Sequence, residues 1–160
     1  MIFYSRIMPN SLTEFVLYET ETGALQPVAM GLLEKGYASG NRCIFYSPLE
    51  ERVKVIDKTL WTFSTNAFVP HGDRSVGFCE QQPIYMTNIV ENPNEAKILM
   101  IMDSYDYQIW NAYQFDRIML LWEQNDNVAD AVNNLRQDLQ KNLKKVVYWR
   151  QSQKKWTKIA

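Results

Sequence analysis

Few residues in this chain could do covalent chemistry. The single histidine, His71, sits between Pro70 and Gly72. A catalytic role would require a nucleophile or carboxylate brought to it in space, and a lone histidine in such a setting more often makes loop hydrogen bonds. Asp103, Asp106 and Asp116 offer the oxygen ligands a hard cation prefers, although scattered surface acids are the commoner outcome. Cys43 and Cys79 fall in different segments with no metal-ligand spacing. They read as free thiols of a reducing, cytoplasmic compartment. Nucleotide-binding signatures are missing. Gly31 and Gly36 have the first spacing of a phosphate loop, but Tyr37 follows where lysine is required. The turn near Gly23 carries that glycine alone, and there is neither a nucleophile elbow nor a paired histidine. The expectation is a chain that is not an enzyme and carries no cofactor and no metal.

Aromatic residues and charge are the stronger signals. Leu60 to Gly72 contains Trp61, Phe63 and Phe68, yet neither a helical nor a strand period runs through it. Such aromatics are either tucked beneath a loop or offered to a partner. The formal net charge of −1 hides an asymmetry. From Arg136 onward eight Lys or Arg stand against one acid, leaving +7 there and −8 on the preceding 135 residues. A basic end on an acidic body suits an acidic peptide or nucleic acid, and it equally suits a solvated helix face.

The elements that must position these residues follow from hydrophobic pattern. A length of 160 residues, 46% hydrophobic, fits one domain over 1–160, with 1–13 as an arm or edge strand and 150–160 as a basic tail. No apolar run reaches the roughly 18 residues of a membrane span, and the N-terminus lacks the order of a signal peptide. Apolar runs of strand length occur at 14–19, 42–46, 84–86, 98–102, 117–122 and 146–149. A helix is expected from Leu25 to Tyr37, with Leu25, Ala29, Leu32 and Leu33 on one face. Ser47-Pro-Leu-Glu50 has the form of a capping box, opening a helix with Leu49, Val53, Ile56 and Leu60 inward. A short helix is expected within 104–113, carrying Trp110. A long one follows Asn125 to Asn127, with Val128, Val132, Leu135, Leu139 and Leu143 on its buried face. This alternation predicts an α/β fold: a three-layer sandwich, a mostly parallel sheet with helices on both faces, Rossmann-like in topology but without a nucleotide-binding motif.

Leu60-Trp61 followed by Phe68-Val69-Pro70-His71 resembles the signature of the chi subunit of bacterial DNA polymerase III. The resemblance extends over about 14–158. It takes in Leu33 to Tyr37 with Gly40-Asn41-Arg42, the Tyr148-Trp149 pair and Trp156. Residues 1–13 are longer than that family's pattern. The resemblance implies a non-catalytic accessory subunit, the DNA-directed DNA polymerase activity belonging to the holoenzyme. It implies binding to the psi subunit, and through psi to the clamp loader, by Trp61, Phe68, Val69 and Pro70. In some bacteria a repair helicase uses the same surface. It also implies binding of the acidic, Phe-ending tail of single-stranded DNA-binding protein by the last helix, through Val132, Arg136, Leu139 and Lys141. Here the chain departs from the family, with Val132 in place of a lysine and Leu139 in place of an aromatic. Lys141, Lys144 and Lys145 are candidates to supply the missing charge. Nucleic-acid contact would then be mainly indirect, membrane contact absent and the location cytoplasmic. The alternative is a direct single-stranded nucleic-acid binder using the basic C-terminal end, with Trp149 and Trp156 as stacking platforms.

Overall fold

In parallel sheets strands are covered on both faces, so they read as unbroken apolar runs, and every such run in this chain becomes a strand. The computed structural model describes residues 13–63 and 69–160, apart from the side chain of Asp126. In order they form β1 (Glu14–Thr20), α1 (Leu25–Ala38), β2 (Cys43–Tyr46), α2 (Glu50–Phe63), β3 (Ile84–Thr87), β4 (Ile98–Met102), β5 (Arg117–Glu123), α3 (Ala129–Lys141), β6 (Lys145–Ser152) and β7 (Lys155–Lys158). The strands make one sheet in the order β3-β2-β4-β5-β1-β6-β7. All neighbours are parallel except β6 and β7. The chain is therefore the expected α/β sandwich, although its strand order is not the 3-2-1-4-5-6 of dinucleotide-binding folds.

Each sheet face carries its own core. On one, Leu25, Ala29, Met30 and Leu33 of α1 and Val53, Ile56 and Leu60 of α2 pack on Val16, Phe45, Met100 and Leu121. Gly36 allows α1 to lie close to β2, since a Cβ there would stand 3.1 Å from Cys43 Sγ. On the other, Val132, Leu135 and Leu139 of α3 meet Leu17, Leu120 and Tyr148. The expected short helix is a single 3-10 turn, Tyr107–Trp110, which buries both of those aromatics in this second core.

Several local expectations shift. Leu49 does not join the inward face of α2 and is 54% exposed. The helix begins at Glu50, two residues later than a Ser47 cap would set it, because Ser47 Oγ accepts from the Leu49 N–H (3.1 Å) and donates to Asp103 Oδ2 (2.7 Å). Glu50 does not close the box on Ser47. It pairs with Lys54, and the Ser47 N–H donates to Thr87. Leu32 is only half-buried, its place taken by Met30. Leu143 leaves the face of α3 altogether, with a φ of 55° and 91% exposure. Part of the stretch expected as a basic tail pairs antiparallel to β6 as β7, and Trp156 packs edge-on against Tyr18 at 5.6 Å. The expected arm or edge strand over 1–13 falls outside the described residues except for Thr13, which is buried and donates to the Phe115 carbonyl.

Candidate functional sites

The first candidate site stands at the C-terminal end of α2, beside edge strand β3. Helix α2 presents Trp61 with 52% of its surface exposed. Behind it lies His71, only 3% exposed, its ring centre 4.5 Å from that of the indole and tilted by 47°. His71 Nδ1 is 2.7 Å from the Val69 carbonyl oxygen. Its Nε2 is 2.8 Å from the Asp57 carbonyl oxygen and 3.2 Å from Asp57 Oδ1. The histidine thus ties the segment after α2 back to the helix. Gly72, next in sequence, hydrogen-bonds with β3 on either side of Tyr85. Burial raises the Asp57 carboxyl above its ordinary value, His71 draws it back, and Asp73 raises it further. Of the residues expected to bind psi, Trp61 is exposed, Pro70 is half-buried, and Val69 is 2% exposed. Phe68 lies outside the described residues.

The second site lies across the sheet, where α3 faces β6. Strands β1 and β5 are neighbours whose following helices cover opposite faces, and a crevice forms beyond the carboxyl ends of such strands. A cleft of about 420 Å³ opens there, lined by Glu19, Val128, Val132, Arg136, Tyr148 and Arg150 among others. An adjoining cleft of about 460 Å³ continues past Arg136 to Lys144 and Val146. The Arg136 guanidinium lies between the two, 4.9 Å over the Tyr148 ring, an attraction strengthened by the ring's negative face. Burial and the hydrogen bond to Glu19 raise the Tyr148 phenol above its usual value.

Among the residues expected to take the acidic tail, Arg136 and Val132 come together in this cleft. Val132 is only 7% exposed, so it contributes a rim of the core rather than a free wall. Leu139 is 1% exposed inside the second core, and Lys141 is exposed at the end of α3, away from both cleft linings. Lys144 lines the adjoining cleft. Sequence reasoning missed Glu19, Arg150 and Asp57. A signal existed for two of them, because β6 alternation puts Tyr148 and Arg150 on one face and the parallel register sets Glu19 opposite Arg150.

The remaining candidates disperse. Among the described residues no three His, Cys, Asp or Glu side chains gather as a metal site. Asp103 is committed to Ser47 and Arg52. Cys43 and Cys79 are both free thiols, and burial pushes the Cys43 thiol up to about 11. Trp149 packs against the first core, on the same sheet face as Tyr18. No helix among the described residues is long and apolar enough to cross a membrane.

The family described as DNA polymerase III chi subunit, HolC, matches residues 12–142. A protein of Rickettsia prowazekii (strain Madrid E) named "Probable DNA polymerase III subunit chi" is 27% identical over 126 residues. That similarity covers 79% of this chain and 75% of the relative. The family match contains Trp61, His71 and all of α3, and ends before β6.

Proposed function

This chain belongs to the DNA polymerase III chi subunit family, and from that membership we propose that it is a non-catalytic, cytoplasmic accessory subunit joining two partners. One is the psi subunit of the clamp-loader complex, and the other is the acidic C-terminal tail of single-stranded DNA-binding protein. The observation that carries the psi contact is a half-exposed Trp61 seated on a buried, hydrogen-bonded His71. Rigid aromatics of this kind lose little entropy on docking and dominate interface energetics. Phe68 and Pro70 complete the psi surface in this reading, with Val69 packed in the core, and a repair helicase would share that surface in competition with psi.

The tail contact is assigned to the α3 cleft, with Arg136 receiving a ligand carboxylate in bidentate fashion. Among the described residues Arg136 makes no salt bridge. Val132 borders the cleft beside it and Lys144 is the cation nearest along the cleft, while Leu139 supports the helix from the core and Lys141 stands outside both linings. The two sites stand toward opposite edges of the sheet, so psi and the tail would bind together without a clash.

Calorimetric titration with an acidic peptide ending in Pro-Phe tests the tail contact. Wild type binds it and Arg136→Ala weakens binding at least tenfold, on the order expected when a paired charge loses its partner. Co-purification of psi with a Trp61→Ala/Phe68→Ala double variant tests the other contact. Retention of psi by that variant would overturn the surface assigned to it. Strong, salt-dependent binding of bare single-stranded DNA by wild type would favour direct nucleic-acid binding instead.

A further inference from the structure

Glu19 reaches the α3 cleft from β1 and is already fully engaged. Its Oε1 accepts from Tyr148 Oη at 2.6 Å and from Trp122 Nε1 at 3.3 Å. Its Oε2 accepts from Arg150 Nε at 2.5 Å. It is the one acid among the described residues lining that cleft, and its side chain is only 13% exposed. Arg150, by contrast, keeps 46% of its side chain in solvent and lines the same cleft. The two arginines differ in what holds them. Arg150 is neutralised by a carboxylate of the chain itself, whereas Arg136 rests on the face of Tyr148 with no carboxylate partner among the described residues. Both lie within 6 Å of the Tyr148 ring centre.

We propose that Glu19 is a specificity-determining residue of the α3 cleft, occupying Arg150 so that Arg136 alone is offered to a ligand carboxylate. The inference rests on the tail reading for its natural ligand, a short acidic peptide. A cleft with one uncommitted guanidinium and a fixed carboxylate accepts a localised negative charge and disfavours a long polyanion. Releasing Arg150 would give two adjacent guanidinium groups, a footing for phosphates as well as carboxylates.

The test compares wild type, Glu19→Gln, Arg150→Gln and the Glu19→Gln/Arg150→Gln double variant. The probes are the acidic Pro-Phe peptide and an oligothymidylate, each at low and high salt. Glutamine keeps the shape of Glu19 and an acceptor for Tyr148 and Trp122 while removing the charge. Glu19→Gln is expected to bind the peptide about two- to fivefold tighter, in line with one partly exposed charge. It also gains oligothymidylate binding that fades with salt. Arg150→Gln alone costs twofold at most, less than Arg136→Ala, and in the double variant the gain disappears. Equal binding of both probes by Glu19→Gln and wild type would overturn the proposal, as would a gain that survives in the double variant. If wild type ignores the peptide while Glu19→Gln gains Arg150-dependent oligothymidylate binding, the gating stands and the tail reading falls. Thermal melts check each fold. Should Glu19→Gln melt early, Arg150→Gln decides, since a loss as large as that of Arg136→Ala contradicts a neutralised Arg150.

Discussion

His71 lies under Trp61 with both ring nitrogens facing oxygens that accept: the Val69 carbonyl on one side, the Asp57 carbonyl and carboxylate on the other. These contacts hold the ring in place, and it forms the floor on which the indole rests. Removing it leaves a carbonyl short of its donor in a buried place and opens a cavity beneath the indole. His71→Ala should therefore cost about 2–3 kcal/mol of stability, the range for orphaned buried polar groups. It should also release Trp61. Denaturant unfolding reads the first effect, and the Trp61 indole N–H resonance reads the second. An unmoved resonance would show that the ring does not position Trp61.

The parallel core was legible because apolar runs such as Ile98–Met102 admit few other fates, and the inward face of α3 because Val132, Leu135 and Leu139 keep a helical period. The sites were legible only in part. Trp61 and His71 are close in sequence, so their pairing was within reach of local reasoning. Glu19 and Arg150 are 131 residues apart, and only the strand order β1-β6 places them together. Leu139 is apolar at the right spacing whether it walls a groove or fills a core, and pattern alone does not separate the two. Leu49 was misplaced because the Ser47 turn depends on Asp103, a residue from another strand end.

Cys43 predicts an alkaline weakness. Its thiol is 1% exposed, and burial raises it from 9.0 to about 11. A folded value above the unfolded one contributes stability that is complete below pH 9 and declines as pH rises from 9 to 11, where only the unfolded chain ionises readily. The full contribution corresponds to about 3 kcal/mol. Stability of wild type relative to Cys43→Ala should therefore be constant to pH 9 and fall through that window. A difference that stays level to pH 11 would refute the burial account.

Asp103 joins three elements through one carboxylate. It sits just past β4 at a φ of 64°, accepts from Ser47 Oγ, and takes Arg52 Nε and Nη2 at 3.0 and 3.2 Å. The positive φ suits aspartate better than alanine. Asp103→Ala should lose about 2–3 kcal/mol through the combined loss of these bonds and added backbone strain. Asp103→Asn, which keeps an acceptor and tolerates the same φ, should lose less. Urea unfolding of the two variants gives the ranking, and equal losses would exclude the backbone contribution.

Leu143 closes α3 in a conformation that favours glycine. The Lys144 N–H donates to the Leu139 carbonyl at 3.0 Å and the Leu143 N–H to Gln140 at 3.1 Å, the paired bonds of a Schellman cap. The residue after the helix must then turn left-handed, and Leu143 does so at a φ of 55°. Its side chain is 91% exposed, so almost no burial offsets the strain. A left-handed residue with a Cβ costs about 1–2 kcal/mol, of which glycine returns part to the entropy of the unfolded chain. Leu143→Gly should therefore stabilise the protein by about 0.5–1 kcal/mol, a gain of a few degrees in Tm for a domain of this size. Leu143→Asn should give a smaller gain, and Leu143→Val a loss, because β-branching crowds the same backbone. Thermal unfolding of the series orders the three, and a destabilised glycine variant would mean that Leu143 is held by contacts rather than tolerated in spite of its geometry.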